Sequence, residues 1–196
     1  MVFEKVVFPS YPHKTVFISV FANVPKNVLS VVKTKLIEGD PNYELCFLNT
    51  NYIISTEYLY SAIYKAILNF ETGQSKAKTL NTEIIFNLSP VNNIMDAFKR
   101  FGVDDSQDQS NVICIKVIDY VSDGNCLEDL NTHISKLLHT DASQNIPLQD
   151  AYLFKTVDIS KFKKIFKLND AKLSESENLQ IQLTRLAIGA CLIRGN

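Results

Sequence analysis

The run Val112 to Val121 (VICIKVIDYV) is the strongest strand signal in the chain: apolar and β-branched at most positions, with charge only at Lys116 and Asp119. A strand this apolar must sit in a sheet that something covers. Two further runs read the same way, Val16 to Val20 (VFISV) and Leu45 to Leu48, and Tyr52 to Ile54 follows an Asn49-Thr50-Asn51 turn. Between them the period changes. Val28, Leu29, Val31, Val32 and Leu36 recur at helical spacing and stop at Gly39-Asp40-Pro41. Ser55 is placed to cap a helix running to Phe70, with core stripe Leu59, Ala62, Ile63, Ala66, Ile67 and Phe70 and Gly73 beyond.

The second half alternates similarly. Glu83 to Leu88 reads as a strand that empties into Ser89-Pro90-Val91-Asn92-Asn93, where Asn92 or Asn93 caps a helix with apolar residues Ile94, Ala97, Phe98 and Phe101. Leu127, Leu130, Ile134, Leu137 and Leu138 mark another helix, residues 140–149 a polar loop, Tyr152 to Val157 a strand and Lys161 to Leu168 a short helix. Ser174 and Glu177 have capping-box spacing ahead of a last helix. Strands interleaved with helices, without a strict βαβ repeat, predict an α/β (α+β) chain: one domain over residues 1–196, its central mixed or antiparallel sheet flanked by helices.

Composition narrows the function. Lys and Arg number 20 against 21 Asp and Glu, a net charge of −1, so the overall basic footprint of a nucleic-acid-binding protein is absent while a local patch remains open. The opening residues lack the apolar core of a signal peptide, and no apolar run is long enough to cross a bilayer, so no membrane role is expected. Cys46, Cys114, Cys126 and Cys191 lie without metal-ligand spacing and read as reduced thiols. His13, His133 and His139 do not form a zinc motif, and no metal or cofactor is expected.

Catalytic templates also fail. No G-x-G-x-x-G, P-loop, G-x-S-x-G or H-E-x-x-H occurs. Ser89 lacks flanking glycines, and Pro90 removes an amide that an oxyanion hole would use. A small hydrolase or small-molecule-binding enzyme built on Ser89, Asn92 and Asn93 is the weaker alternative to a turn that caps a helix.

Two stretches point instead to partners. Lys76 and Lys78 lie in a loop with little nearby acid, and Lys65, Lys99 and Arg100 join them if the neighbouring helices end on one side. That is either a solvated edge or a contact for a phosphate backbone. Tyr58, Tyr60 and Tyr64 stack on single-stranded bases if exposed and are core if buried. Leu183 to Ile193 (LTRLAIGACLI) is apolar nearly all round, which demands burial inside the chain or under a partner. Gly189 there costs about 1 kcal/mol relative to alanine, as close helix approach would explain.

The stretch from Lys78 to Ile94 (KTLNTEIIFNLSPVNNI), continuing through Ala97-Phe98 and Phe101-Gly102, resembles the PRPK-binding protein family (TPRKB-like). Ser61 to Lys65 (SAIYK), Lys163 to Leu168 (KKIFKL) and the terminal Leu192-Ile193-Arg194 extend the likeness. The resemblance implies a non-catalytic small subunit of the KEOPS/EKC complex, which makes threonylcarbamoyladenosine in tRNA. It implies direct binding to the complex's atypical kinase, with the region from about 174 to 194 in the interface and Leu183, Leu186, Ile188, Leu192, Ile193 and Arg194 as its residues. It implies indirect association with the other subunits, the threonylcarbamoyl transferase included, and help in recruiting tRNA by its 3′ CCA end, for which Lys65, Lys76, Lys78, Lys99 and Arg100 are the candidates. Links to telomere maintenance and transcription, and a location in nucleus and cytoplasm, come with the same resemblance.

Overall fold

The computed structural model describes residues 2–119 and 125–194. Its fold is α+β, and chain contacts divide it into two compact units: residues 1–49 with 102–148, and residues 50–101 with 149–196.

The first unit holds the sheet. Among the described residues its strands are β1 (Glu4–Val6), β2 (Lys14–Pro25), β3 (Cys46–Asn49), β4 (Gln109–Asp119) and β5 (Asn145–Ile146). The order is β1-β2-β4-β3, with β5 also on β2, and every pairing is antiparallel. Val16 lies opposite Val117 and Ile18 opposite Ile115, so apolar cross-strand pairs fix the register. The strand expected to reach Val121 is described to Asp119; Tyr120 and Val121 lie outside the described residues. Helices α1 (Lys26–Glu38) and α5 (Asn125–Leu137) cover one face, where Phe17, Phe21, Phe47 and Cys114 meet Val28, Leu29, Val32, Leu127, Ile134 and Leu138. α1 ends where Gly39 adopts the left-handed conformation (φ 71°) and its amide donates to the Leu36 carbonyl.

The second unit is helical: α2 (Thr56–Glu71), α3 (Leu80–Asn87), α4 (Ile94–Phe101), α6 (Asp150–Thr156), α7 (Ile159–Ile165) and α8 (Leu179–Leu192). Ser55 caps α2 as expected, accepting from the Tyr58 amide at 3.2 Å, and also takes the Thr184 hydroxyl of α8 at 2.8 Å.

Five expectations need correction. The expected polar loop over residues 140–149 contains β5, whose Asn145 and Ile146 pair with Phe21 and Val20 of β2. The expected strand Glu83 to Leu88 is helix α3, capped by Thr79 accepting from the Thr82 amide. Residues 83–87 are all buried, so the helix shows no polar side from which its period could be read. Tyr152 to Val157 belongs to α6 and the turn after it, and Tyr52 to Ile54 joins no strand. The capping box at Ser174 is not formed: Asn178 caps α8, accepting from the Ile181 amide at 3.2 Å.

Candidate functional site

α8 lies on α2 and buries Leu183, Thr184, Ala187 and Cys191. Successive helical residues turn by about 100°, so these four occupy about a third of the circumference. The rest faces outward and is largely apolar: Leu179, Ile181, Leu186 and Leu192 are exposed, Ile188 is half-buried, and Ile193 just past the helix is 69% exposed. Ile181, Arg185, Ile188 and Leu192 form one stripe, Leu179 and Leu186 another. Gly189 lies between the stripes, and a Cβ built on it meets nothing within 4 Å. Close packing within the chain therefore does not explain this glycine.

Two residues expected in a partner interface are used internally. Leu183 is fully buried in the helical unit and offers no surface. Arg194 turns back onto the end of α3. One Nη donates to the carbonyls of Phe86 and Ser89, the latter at 2.8 Å, and the other to Asn87 Oδ1 at 3.1 Å. Its Cζ sits 3.7 Å from the Phe86 ring centroid. Burial lowers the Arg194 pKa from its ordinary value.

The Ser89 turn is clamped from several sides. The Tyr58 hydroxyl and the Cys191 thiol both donate to the Leu88 carbonyl. Ser89 is fully buried, and its hydroxyl accepts from the Val91 amide at 3.3 Å. Asn93 caps α4, accepting from the Asp96 amide at 3.1 Å. Ser89 and Asn93 thus have structural roles in a helix-to-helix turn, Asn92 is exposed and meets Lys76, and Tyr58 is core, which excludes it from base stacking.

The lysine loop is a built feature. Glu83 is completely buried on α3 and reaches under residues 75–77. Its Oε2 accepts from the amides of Ala77 (2.9 Å) and Lys76 (3.1 Å), and its Oε1 from Asn69 Nδ2 (2.8 Å) and Asn87 Nδ2 (3.2 Å). The Ser75 hydroxyl also donates to Oε2, at 3.3 Å. The loop is thereby fixed with Lys76 and Lys78 exposed, and Lys76 Nζ donates to Asn92 Oδ1 at 3.4 Å.

Lys65 does not join them as a free cation. Its Nζ donates to the Cys191 carbonyl at 2.9 Å, at the C-terminal end of α8 where helix carbonyls favour positive charge. Burial first, then Arg194, holds its pKa below the ordinary lysine value. Lys99 is exposed on the last turn of α4, and Arg100 beside it is half-buried.

Sequence reasoning missed Glu83, Asn87, Leu179 and Ile181. Assigning residues 83–88 to a strand hid the first two, whereas the capped start of α8 was available as a signal for the others.

The outward face of α8 is apolar and uncovered in this chain, a surface of the kind that other proteins cover. The chain belongs to the kinase-binding protein CGI-121 family, whose model matches residues 21–195. It is 53% identical over the full length of both chains to the EKC/KEOPS complex subunit CGI121 of Debaryomyces hansenii, and 44% identical, again over both full lengths, to that of Candida albicans. The Yarrowia lipolytica subunit is 32% identical, over 96% of this chain and 98% of its own.

Proposed function

We propose that this chain is a non-catalytic subunit of a KEOPS/EKC complex that binds the kinase subunit through the outward face of α8. The observation that carries the reading is the exposed apolar surface of Ile181, Leu186, Leu192 and Ile193, with half-buried Ile188 among them, around Gly189. Exposed apolar groups at this density are costly in water and gain on being covered. A glycine without a neighbour in its own chain permits a partner backbone to approach closely. Membership of a family described as kinase-binding, and relatives named as complex subunits, supply the partner.

The same proposal gives the Lys76–Lys78 loop to tRNA, as a contact for phosphates near the 3′ CCA end during threonylcarbamoyladenosine formation. A rigid loop presenting two exposed lysines suits a phosphate backbone, whose recognition requires position more than sequence. Lys99 and Arg100, in the last turn of α4, are further candidates for the same backbone, whereas Lys65 is engaged with the Cys191 carbonyl. Contact with the transferase is indirect, through the kinase. Work in nucleus and cytoplasm, and the links to telomeres and transcription, follow from membership of that complex. The experiment is co-purification of the kinase subunit with the wild-type chain and with the Leu192→Asp, Ile193→Asp double variant, alongside tRNA binding by the assembled complex.

A further inference from the structure

The two proposed surfaces are joined by an unbroken line of side chains within the helical unit. Arg194, at the end of the apolar face, donates from Nη2 to Asn87 Oδ1 at 3.1 Å. Asn87 uses its other amide atom to donate to Glu83 Oε1 at 3.2 Å and to the Glu83 carbonyl at 3.0 Å. Glu83 then accepts the Lys76 and Ala77 amides at 3.1 and 2.9 Å. Asn87 and Glu83 are buried, so none of these links is exchanged cheaply for water. The line also has polarity: Arg194 has no acceptor and Glu83 only acceptors, so the Asn87 amide between them is fixed in one orientation.

We propose that Arg194, Asn87 and Glu83 form a relay in which the seat of Arg194 on the end of α3 sets how firmly the Lys76–Lys78 loop is held. Asn87 is a positioning residue: it touches neither surface and matters through Glu83. Ile193, next to Arg194, is among the most exposed apolar side chains. A protein that covers Ile193 also restrains Arg194, and through the relay it stiffens the loop. The loop is then ordered for a phosphate backbone before that backbone arrives, and less ordering entropy remains to be lost on binding. By reciprocity, a polyanion on the loop strengthens the grip at the C-terminus. The names of the two partners rest on the function proposed above; the relay itself does not.

The test is amide hydrogen exchange at Lys76 and Ala77 in the full chain, with the Ile63 amide of α2 reporting global opening. Arg194→Ala should speed exchange at Ala77 relative to Ile63 by about fivefold to tenfold, the scale of one net hydrogen bond. Asn87→Leu, which keeps the branching and heavy-atom count and removes both links, should do the same, and the double variant should exceed neither single. Arg194→Lys, which keeps the charge and loses the fork, covers the case in which the alanine variant unfolds; it should give an intermediate increase. Ala77 exchange that rises only in step with Ile63, or effects that add in the double variant, overturns the relay. Adding the purified kinase subunit should slow Ala77 exchange in the wild type and not in Asn87→Leu. A relay intact in the free chain with no kinase effect, because no kinase binds, contradicts the partner assignment and leaves the relay standing. Kinase bound with Ala77 unchanged overturns the proposed coupling between the surfaces.

Discussion

Arg194 lies with its guanidinium carbon 3.7 Å from the centroid of the Phe86 ring while it donates to the Phe86 carbonyl. One side chain thus closes the chain's last described turn onto the end of α3 by a cation–π contact and by hydrogen bonds to the Ser89 carbonyl and to the Phe86 carbonyl, which also accepts the Ser89 amide at 3.1 Å. Replacing it with alanine should lower unfolding free energy by about 1–3 kcal/mol in urea titrations. Arg194→Lys should recover part of this, since an ammonium meets one of these acceptors at a time.

Gly189 separates stability from binding. Gly189→Ala should raise the stability of the isolated chain by about 1 kcal/mol, because the helix gains propensity and the new methyl meets nothing. Kinase affinity should fall, the added methyl holding the partner off. Thermal unfolding and a binding titration together check this; a gain in stability with unchanged affinity places the partner away from this part of α8.

Lys167 stands after α7 in the left-handed conformation (φ 56°), with its amide donating to the Lys164 carbonyl and the Leu168 amide to the Lys163 carbonyl. That is a glycine position. Lys167→Gly should leave the fold unchanged and stabilise it, or cost less than any other substitution there, in thermal unfolding.

The four thiols should react in a fixed order. Cys126 is exposed, whereas Cys46, Cys114 and Cys191 are buried. Burial disfavours the thiolate and pushes Cys191 up to about 11, with Cys46 and Cys114 also raised. At pH 9 the native chain should therefore take one equivalent of iodoacetamide, at Cys126, and the remaining thiols only after denaturation. Peptide mass mapping reads the sites.

Charge reversal at Lys76 and Lys78 should weaken tRNA binding by the assembled complex about equally for all tRNAs, with a smaller salt dependence. Lys65→Glu should act differently. It removes the donor to the Cys191 carbonyl, so it should lower stability as well.

The sheet was legible because its strands and covering helices are each half-buried or carry long apolar runs: β2, β4, α1 and α5 all fall where period and composition place them. α3 was not, since a short helix buried on every side has the pattern of a buried strand. The same error concealed Glu83, whose value depends on helical geometry bringing it back beneath residues 75–77. The apolar end of α8 was legible as a surface needing cover. Which of its residues face inward was not, because Leu183 and Leu186 are alike in sequence and differ only in what packs beside them.

Binding of the kinase subunit by the outward face of α8 is measured by titration calorimetry of the purified chain with that subunit. Leu192 and Ile193 are 56% and 69% exposed, so changing both to Asp should preserve the unfolding temperature within a few degrees and abolish the binding heat. Leu183→Asp should instead unfold the helical unit. A Leu192→Asp, Ile193→Asp variant that stays folded and binds the kinase subunit with wild-type affinity would place the kinase elsewhere on the chain.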